Sequence, residues 1–160
     1  MKEVYNFLNT EDFLKIKNTL LHDTFFPWFL QNGIARNNDG DIQFTHLFYS
    51  NEIPSIYFDI LKPILNKLKI KKLLRIKANL VPKSNKLVQH DYHVDYPGLI
   101  CTTAIFYINS NDGYTIFKKN KKIIKSEENK FVYFKSNLEH AGTTCTDQKI
   151  RSLINFNYIE

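Results

Sequence analysis

A chain of 160 residues with 43% hydrophobic and 14% aromatic content can bury a core without staples, and its length points to one domain over residues 1–160. No apolar run is long enough to span a bilayer and the first six residues lack the apolar stretch of a secretion signal, so no membrane partner and a cytoplasmic location are expected. The net charge of +6 is nearly all lysine, with arginine only at Arg36, Arg75 and Arg151, which leaves nucleic acid a weakly supported partner because such readers favour the arginine fork.

A first helix is predicted over residues 9–22. Asn9 can cap it, and Asp12 lies in the first turn, where the helix dipole favours a carboxylate. Phe13, Ile16 and Leu20 recur at helical spacing, with Leu14 and Leu21 widening the stripe. Residues 25–30 are too aromatic and too few for a solvent helix, and are expected as a strand or buried loop entering a sheet. Residues 37–41 are a turn by composition, and 44–49 a strand. His46, alone between aromatics, is expected to pack in the core first and to face a pocket second.

A second helix is predicted from Pro54, which suits a first turn. Ile53, Ile56, Tyr57, Ile60, Leu61, Ile64, Leu65 and Leu68 keep helical spacing, the strongest such signal in the chain. Pro63 cannot donate to the Asp59 carbonyl, so a kink is expected there. Lys62, Lys67, Lys69, Lys71 and Lys72 form a solvated face.

After Lys72 the period falls to two. Leu74, Ile76, Ala78 and Leu80 alternate with Arg75, Lys77 and Asn79. Strand-like runs recur at 87–96, 101–108, 114–117, 123–124, 131–134 and 150–159, with turn signals at 111–113, 119–121 and 127–129. Short strands with regular turns indicate an antiparallel sandwich or barrel. Two helices packed on one face of it make the class α+β, mainly β. Cys101 and Cys145 are expected as free thiols.

The chemistry centres on His93-Val94-Asp95. Residues i and i+2 of a strand share a face, so both side chains can aim at one spot. His140 follows an aromatic strand and precedes Ala141-Gly142, at the mouth of a barrel. Two histidines and a carboxylate on one face of a metal form the triad of non-haem Fe(II) oxygenases. Arg151, Leu153, Asn155 and Asn157 share a face of the last strand, and an arginine near a metal suits a dicarboxylate through two parallel hydrogen bonds. His90 is expected to face away from His93. Asp91 shares the face of His93 and is expected to touch substrate or a ligand residue. Arg75 and Lys77 either contact an acidic substrate or form a solvated face. Residues 118–125 read as a hairpin tip in water.

From about residue 73 onward the chain resembles the 2-oxoglutarate- and Fe(II)-dependent dioxygenases, chiefly the prolyl-hydroxylase-like branch and small phage-encoded members. The resemblance rests on His93-Val94-Asp95, Phe106-Tyr107-Ile108-Asn109, residues 111–117, Val132-Tyr133-Phe134-Lys135-Ser136, His140-Ala141-Gly142 and Arg151, in that order and spacing. It implies a double-stranded β-helix, or jelly roll, with N-terminal supporting helices. It also implies Fe(II) bound by His93, Asp95 and His140, and 2-oxoglutarate held through its distal carboxylate by Arg151, with Asn79 a secondary contact. Leu153 stands where some relatives carry a hydroxyl for the cosubstrate, which leaves the second contact open. The implied reaction uses O2 to hydroxylate a C–H bond, with succinate and CO2 as coproducts. The substrate, a protein side chain, small molecule or nucleobase, is unidentified, and a phage-encoded member would act in the host cytoplasm. Two other readings fit the strands. One is a non-catalytic jelly-roll binding or structural module, which leaves the triad and Arg151 without a role. The other is a cupin-like metal enzyme without 2-oxoglutarate, which does not need Arg151.

Overall fold

The computed structural model describes residues 1–35 and 40–160. Of the turn expected at 37–41, the first three positions lie outside the described residues. Gly40 takes a φ of +92°, the left-handed conformation that glycine adopts at no steric cost. The elements run β1 (Lys2–Val4), α1 (Thr10–Leu21), β2 (Phe29–Asn32), β3 (Ile42–Ser50), β4 (Ile53–Pro54), a 3-10 turn (Phe58–Leu61), α2 (Lys62–Leu65), β5 (Lys72–Pro82), β6 (Thr102–Tyr107), β7 (Tyr114–Phe117), β8 (Ile123–Lys125), β9 (Phe131–Lys135), β10 (His140–Gly142) and β11 (Ile150–Ile159). Among the described residues, no helix is long and apolar enough to cross a membrane.

Two antiparallel sheets result. The larger runs β1-β9-β6-β11-β5-β3-β2, with β4 on β3, and the smaller runs β10-β7-β8. The period of two splits each long strand between two surroundings. Ile76 and Ala78 of β5, Ala104 and Phe106 of β6, and Ile154 and Phe156 of β11 pack with Ile16 and Leu20 of α1 and with Leu61 and Ile64. The opposite face of the same strands carries Ile105, Tyr107 and Leu153, which meet Phe117 and Ile124 of the small sheet. This is the jelly roll, with helices outside and the polar positions Lys77, Asn79, Arg151 and Asn155 turned into the space between the sheets.

α1 forms as its sequence dictates. The Asn9 side chain accepts from the Asp12 N–H at 2.9 Å, and Phe13, Ile16 and Leu20 are buried. The second helix does not form over 54–68. Ile53-Pro54 pair with β3 instead, and only Lys62–Leu65 is α-helical. Pro63 is the cause. With no N–H for the Asp59 carbonyl, that carbonyl accepts from Lys62, a 3-10 bond, and Pro63 opens a new short helix. The stripe is therefore interrupted rather than kinked. Leu61 and Ile64 are buried, but Ile56 is 93% exposed.

Residues 25–30 are half as expected. Phe26 is buried, while Phe25, Phe29 and Leu30 are exposed, the last two because they lie on β2, the edge strand of the large sheet. The sequence gives no warning of β1, whose three residues pair with Tyr133, Val132 and Phe131 of β9.

His46 is a packing residue. Its ring lies 4.5 Å from that of Phe26 and 4.7 Å from that of Phe48. Nδ1 sits 3.0 Å from the Pro27 carbonyl oxygen and Nε2 3.1 Å from Ser55 Oγ. A carbonyl only accepts, so Nδ1 carries the proton and Nε2 accepts from the serine. Burial pushes the His46 pKa below its ordinary value. In the window below about pH 6.5 the unfolded chain binds a proton that the folded chain refuses. Stability is thus full above that window and falls as pH drops through it. The urea midpoint is expected to be lower at about pH 5 than at about pH 7.5, and His46→Gln should shrink that difference; an unchanged difference would refute the assignment.

Candidate metal centre

The pocket between the sheets takes its side chains from both. Residues 87–96, expected as a continuous strand, are not one. Isolated bridges tie Gln89 to Thr143 and His93 to His140. The second is reciprocal, with N–H···O distances of 2.9 and 3.0 Å between the two histidine backbones. It places the imidazoles side by side, ring centres 4.9 Å apart. Asp95 joins them, its Oδ2 3.6 Å from His140 Nε2 and its Oδ1 3.9 Å from His93 Nε2. One ligand atom from each of the three residues lies within 4.8 Å of the others. The convergence expected of a strand is thus achieved by an irregular segment held at two isolated bridges.

The protonation pattern points to a cation. His93 Nδ1 lies 3.2 Å from the Asp91 carbonyl oxygen and His140 Nδ1 3.0 Å from that of Leu138. Each Nδ1 therefore donates, so that each Nε2, once deprotonated, turns a lone pair toward Asp95. Burial, then His140, push the His93 pKa down. Burial by itself would raise the Asp95 carboxyl, but His140, Arg75, His93 and Lys77 together hold it below its ordinary value. Asp95 Oδ2 is buried with no hydrogen-bond partner among the described residues. With both histidines deprotonated, three lone-pair donors face one another, a conflict that a metal ion would resolve.

Asp95 is held from behind. Asn155 Nδ2 donates to its Oδ1 at 3.3 Å. Arg75 Nη2 donates to its backbone carbonyl at 3.0 Å and lies 3.6 Å from Oδ1. Arg75 Nε donates in turn to Asn157 Oδ1 at 3.1 Å. Arg75 is therefore not simply a solvated residue; it fixes the carboxylate with Oδ2 toward His140. Sequence reasoning missed this, since a twenty-residue separation leaves no local signal.

Arg151 is buried on β11. Its Nε donates to Ser126 Oγ at 2.9 Å and its Nη2 to Thr115 Oγ1 at 3.0 Å. Its guanidinium carbon lies 5.9 Å from the Tyr107 ring centre, and the Tyr107 hydroxyl donates to Thr115 Oγ1 at 2.9 Å. Among the described residues no carboxylate pairs with it. A buried cation without a counterion is costly, so the site suits an arriving anion. Two glycines make the room: a Cβ at Gly113 would meet Arg151 Cδ at 2.7 Å, and one at Gly142 would meet Nη1 at 3.2 Å. Thr115 was legible only as a polar residue in the alternation of β7.

Asn79 lines the pocket, paired in register with Leu153. Its amide donates only to the Lys77 carbonyl, at 3.4 Å. Asp91, expected to share the face of His93, is not among the residues lining the pocket. It is exposed, and its backbone carbonyl receives His93 Nδ1. His90 does not turn away either, because its segment lacks strand geometry; it lines the same pocket. The 118–125 hairpin is pinned by the ion pairs Lys118–Glu139 at 2.7 Å and Lys122–Glu3 at 2.8 Å. Of the four buried polar side-chain atoms left without partners among the described residues, Asp95 Oδ2, His90 Nε2 and Asn155 Oδ1 belong to residues lining this one pocket. Such a concentration marks a polar ligand site.

No family model and no curated protein matches the chain. Solved structures do. A Pseudomonas putida prolyl-4-hydroxylase superposes with a TM-score of 0.68 at 9% identity, over 99% of this chain and 92% of that one. An oxidoreductase of the 2OG-Fe(II) oxygenase family from Burkholderia pseudomallei also gives 0.68 at 9% identity, over 98% and 82%. The fold is that of the 2OG-Fe(II) oxygenases. A prolyl hydroxylase from Trichoplax adhaerens, in complex with a hypoxia inducible factor oxygen degradation domain peptide fragment, gives 0.63 at 17% identity, over 99% and 82%. At these identities the likeness is one of architecture. Within this oxygenase fold, the chain brings the expected triad and Arg151 to one pocket.

Proposed function

We propose that the chain is a 2-oxoglutarate- and Fe(II)-dependent oxygenase, one catalytic domain over residues 1–160, that hydroxylates a C–H bond with succinate and CO2 as coproducts. The observation that carries this reading is a pocket with two unmet demands: a lone-pair triad without a cation and a buried guanidinium without an anion. Fe(II) meets the first and a dicarboxylate meets the second. His93 Nε2, Asp95 Oδ2 and His140 Nε2 would hold the metal, which when bound supplies the O2 chemistry that side chains lack. Arg151 would take the distal carboxylate of 2-oxoglutarate, with the Asn79 amide on the neighbouring strand of the same wall. Arg75 and Asn155 keep Asp95 oriented, while Ile105, Val81 and Leu153 wall out water.

A cupin-like metal enzyme has no use for Arg151, and a non-catalytic module has no use for either demand. Buried Cys101 and Cys145, both free, support a reducing, cytoplasmic setting. The substrate is one of three classes: a protein side chain, a small molecule or a nucleobase. Anaerobic addition of Fe(II) and 2-oxoglutarate is expected to give the weak visible charge-transfer band of the chelate, and no band would sink the proposal. Screening for substrate-stimulated succinate formation then identifies the class.

A further inference from the structure

The reading above leaves His90 without a role, yet this residue is built as a binding group. Its side chain is buried, with 2% exposure. Nδ1 lies 2.7 Å from Asp41 Oδ2, while Nε2 has no partner among the described residues. The ring lines the pocket of the triad and Arg151. A histidine braced through one nitrogen offers the other, in a fixed direction, to a ligand.

Position says which end of the ligand it meets. The His90 N–H donates to the Gly142 carbonyl at 3.0 Å. Gly142 is the residue on β10 whose Cβ would touch Arg151 Nη1, two positions beyond the metal residue His140. Asp41 stands at the same end. Arg151 pairs in register with Val81 and Phe44 with Leu80, so the start of β3 lies level with Arg151 rather than with the triad. Two groups suited to an anion, one guanidinium and one carboxylate-braced imidazole, thus share the end of the pocket away from the metal.

We propose that His90, braced by Asp41, is the second anchor for the distal carboxylate of 2-oxoglutarate, beside Arg151. The Nδ1–H donates to Asp41, and Nε2–H donates to one oxygen of the ligand carboxylate, which Arg151 engages with the other. This proposal rests on the 2-oxoglutarate reading.

The test compares 2-oxoglutarate with 2-oxopentanoate, an oxoacid of the same chain length without the distal carboxylate. Each is titrated calorimetrically into the anaerobic Fe(II)-loaded protein. His90→Ala is expected to weaken 2-oxoglutarate about ten- to a hundredfold, the range for a hydrogen bond to a charged group, and to leave 2-oxopentanoate unchanged. His90→Gln, which keeps a donor near the Nε2 position, should recover part of the loss, and Asp41→Asn should lose part of the affinity. A merely structural histidine would weaken both oxoacids alike, and that result overturns the proposal. Unchanged 2-oxoglutarate affinity in both His90 variants overturns it too. If the wild-type protein binds no 2-oxoglutarate, the parent reading falls and this one with it. If the wild type binds and the variants do not discriminate, this one falls alone.

Discussion

Asp95→Ala is expected to abolish the Fe(II)–2-oxoglutarate band and to lower Fe(II) affinity by more than about 100-fold, beyond what the loss of an outer partner costs. The carboxylate is the one anionic member of the triad, and its Oδ2 has nothing else to bind. Asp95→Asn sharpens the test. It keeps the shape and the contact with Asn155 but removes the charge, so the fold should persist while the metal is lost. Arg75→Ala should act in the same direction more weakly, because Asn155 still holds Oδ1. Anaerobic spectra and metal calorimetry check all three, and an undiminished band in Asp95→Ala would falsify the metal assignment.

Arg151→Met separates cosubstrate from metal. Fe(II) alone should bind as in the wild type, while 2-oxoglutarate affinity should fall about 100- to 1,000-fold, the scale for breaking a buried charged pair. Arg151→Lys should not rescue it. A lysine offers a point charge where the site holds a fork, and it cannot reach Ser126, Thr115 and a carboxylate at once. Thermal shift gives an independent readout. Saturating 2-oxoglutarate at about 100 times its Kd should stabilise the wild type by about 2.7 kcal/mol and the variant not at all. The ligand-free variant should lose little stability, because methionine replaces a buried charge that has no counterion.

What could be read from sequence follows the range of the interactions. The caps and stripe of α1, and the alternation of β5 and β11, are set within a few residues, and they predicted which side chains enter the pocket. The convergence of His93, Asp95, His140 and Arg151 on one pocket was legible because the proposed chemistry restricts residue type as well as spacing. The helix over 54–68 failed where one backbone atom overruled eight apolar side chains: Pro63 lacks a hydrogen, and the stripe does not register it. β1 is too short to carry a period. Arg75 on Asp95 and Asp41 on His90 are pairings across the fold between residues unremarkable in their own neighbourhoods. His90 was set aside because strand geometry was assumed for a segment that has only two bridges.

That segment makes two walls of the pocket unequal. Arg151 stands in a ten-residue strand paired on both sides, whereas His93 and Asp95 lie outside any ladder and His140 sits in a strand of three residues. Free energies of local opening follow such differences in backbone support. The wall that carries Arg151 is therefore stiff, and the segment that carries His90, His93 and Asp95 compliant. Partial opening releases the histidines while the arginine wall stays folded, so amide exchange along 87–96 runs ahead of exchange in β11.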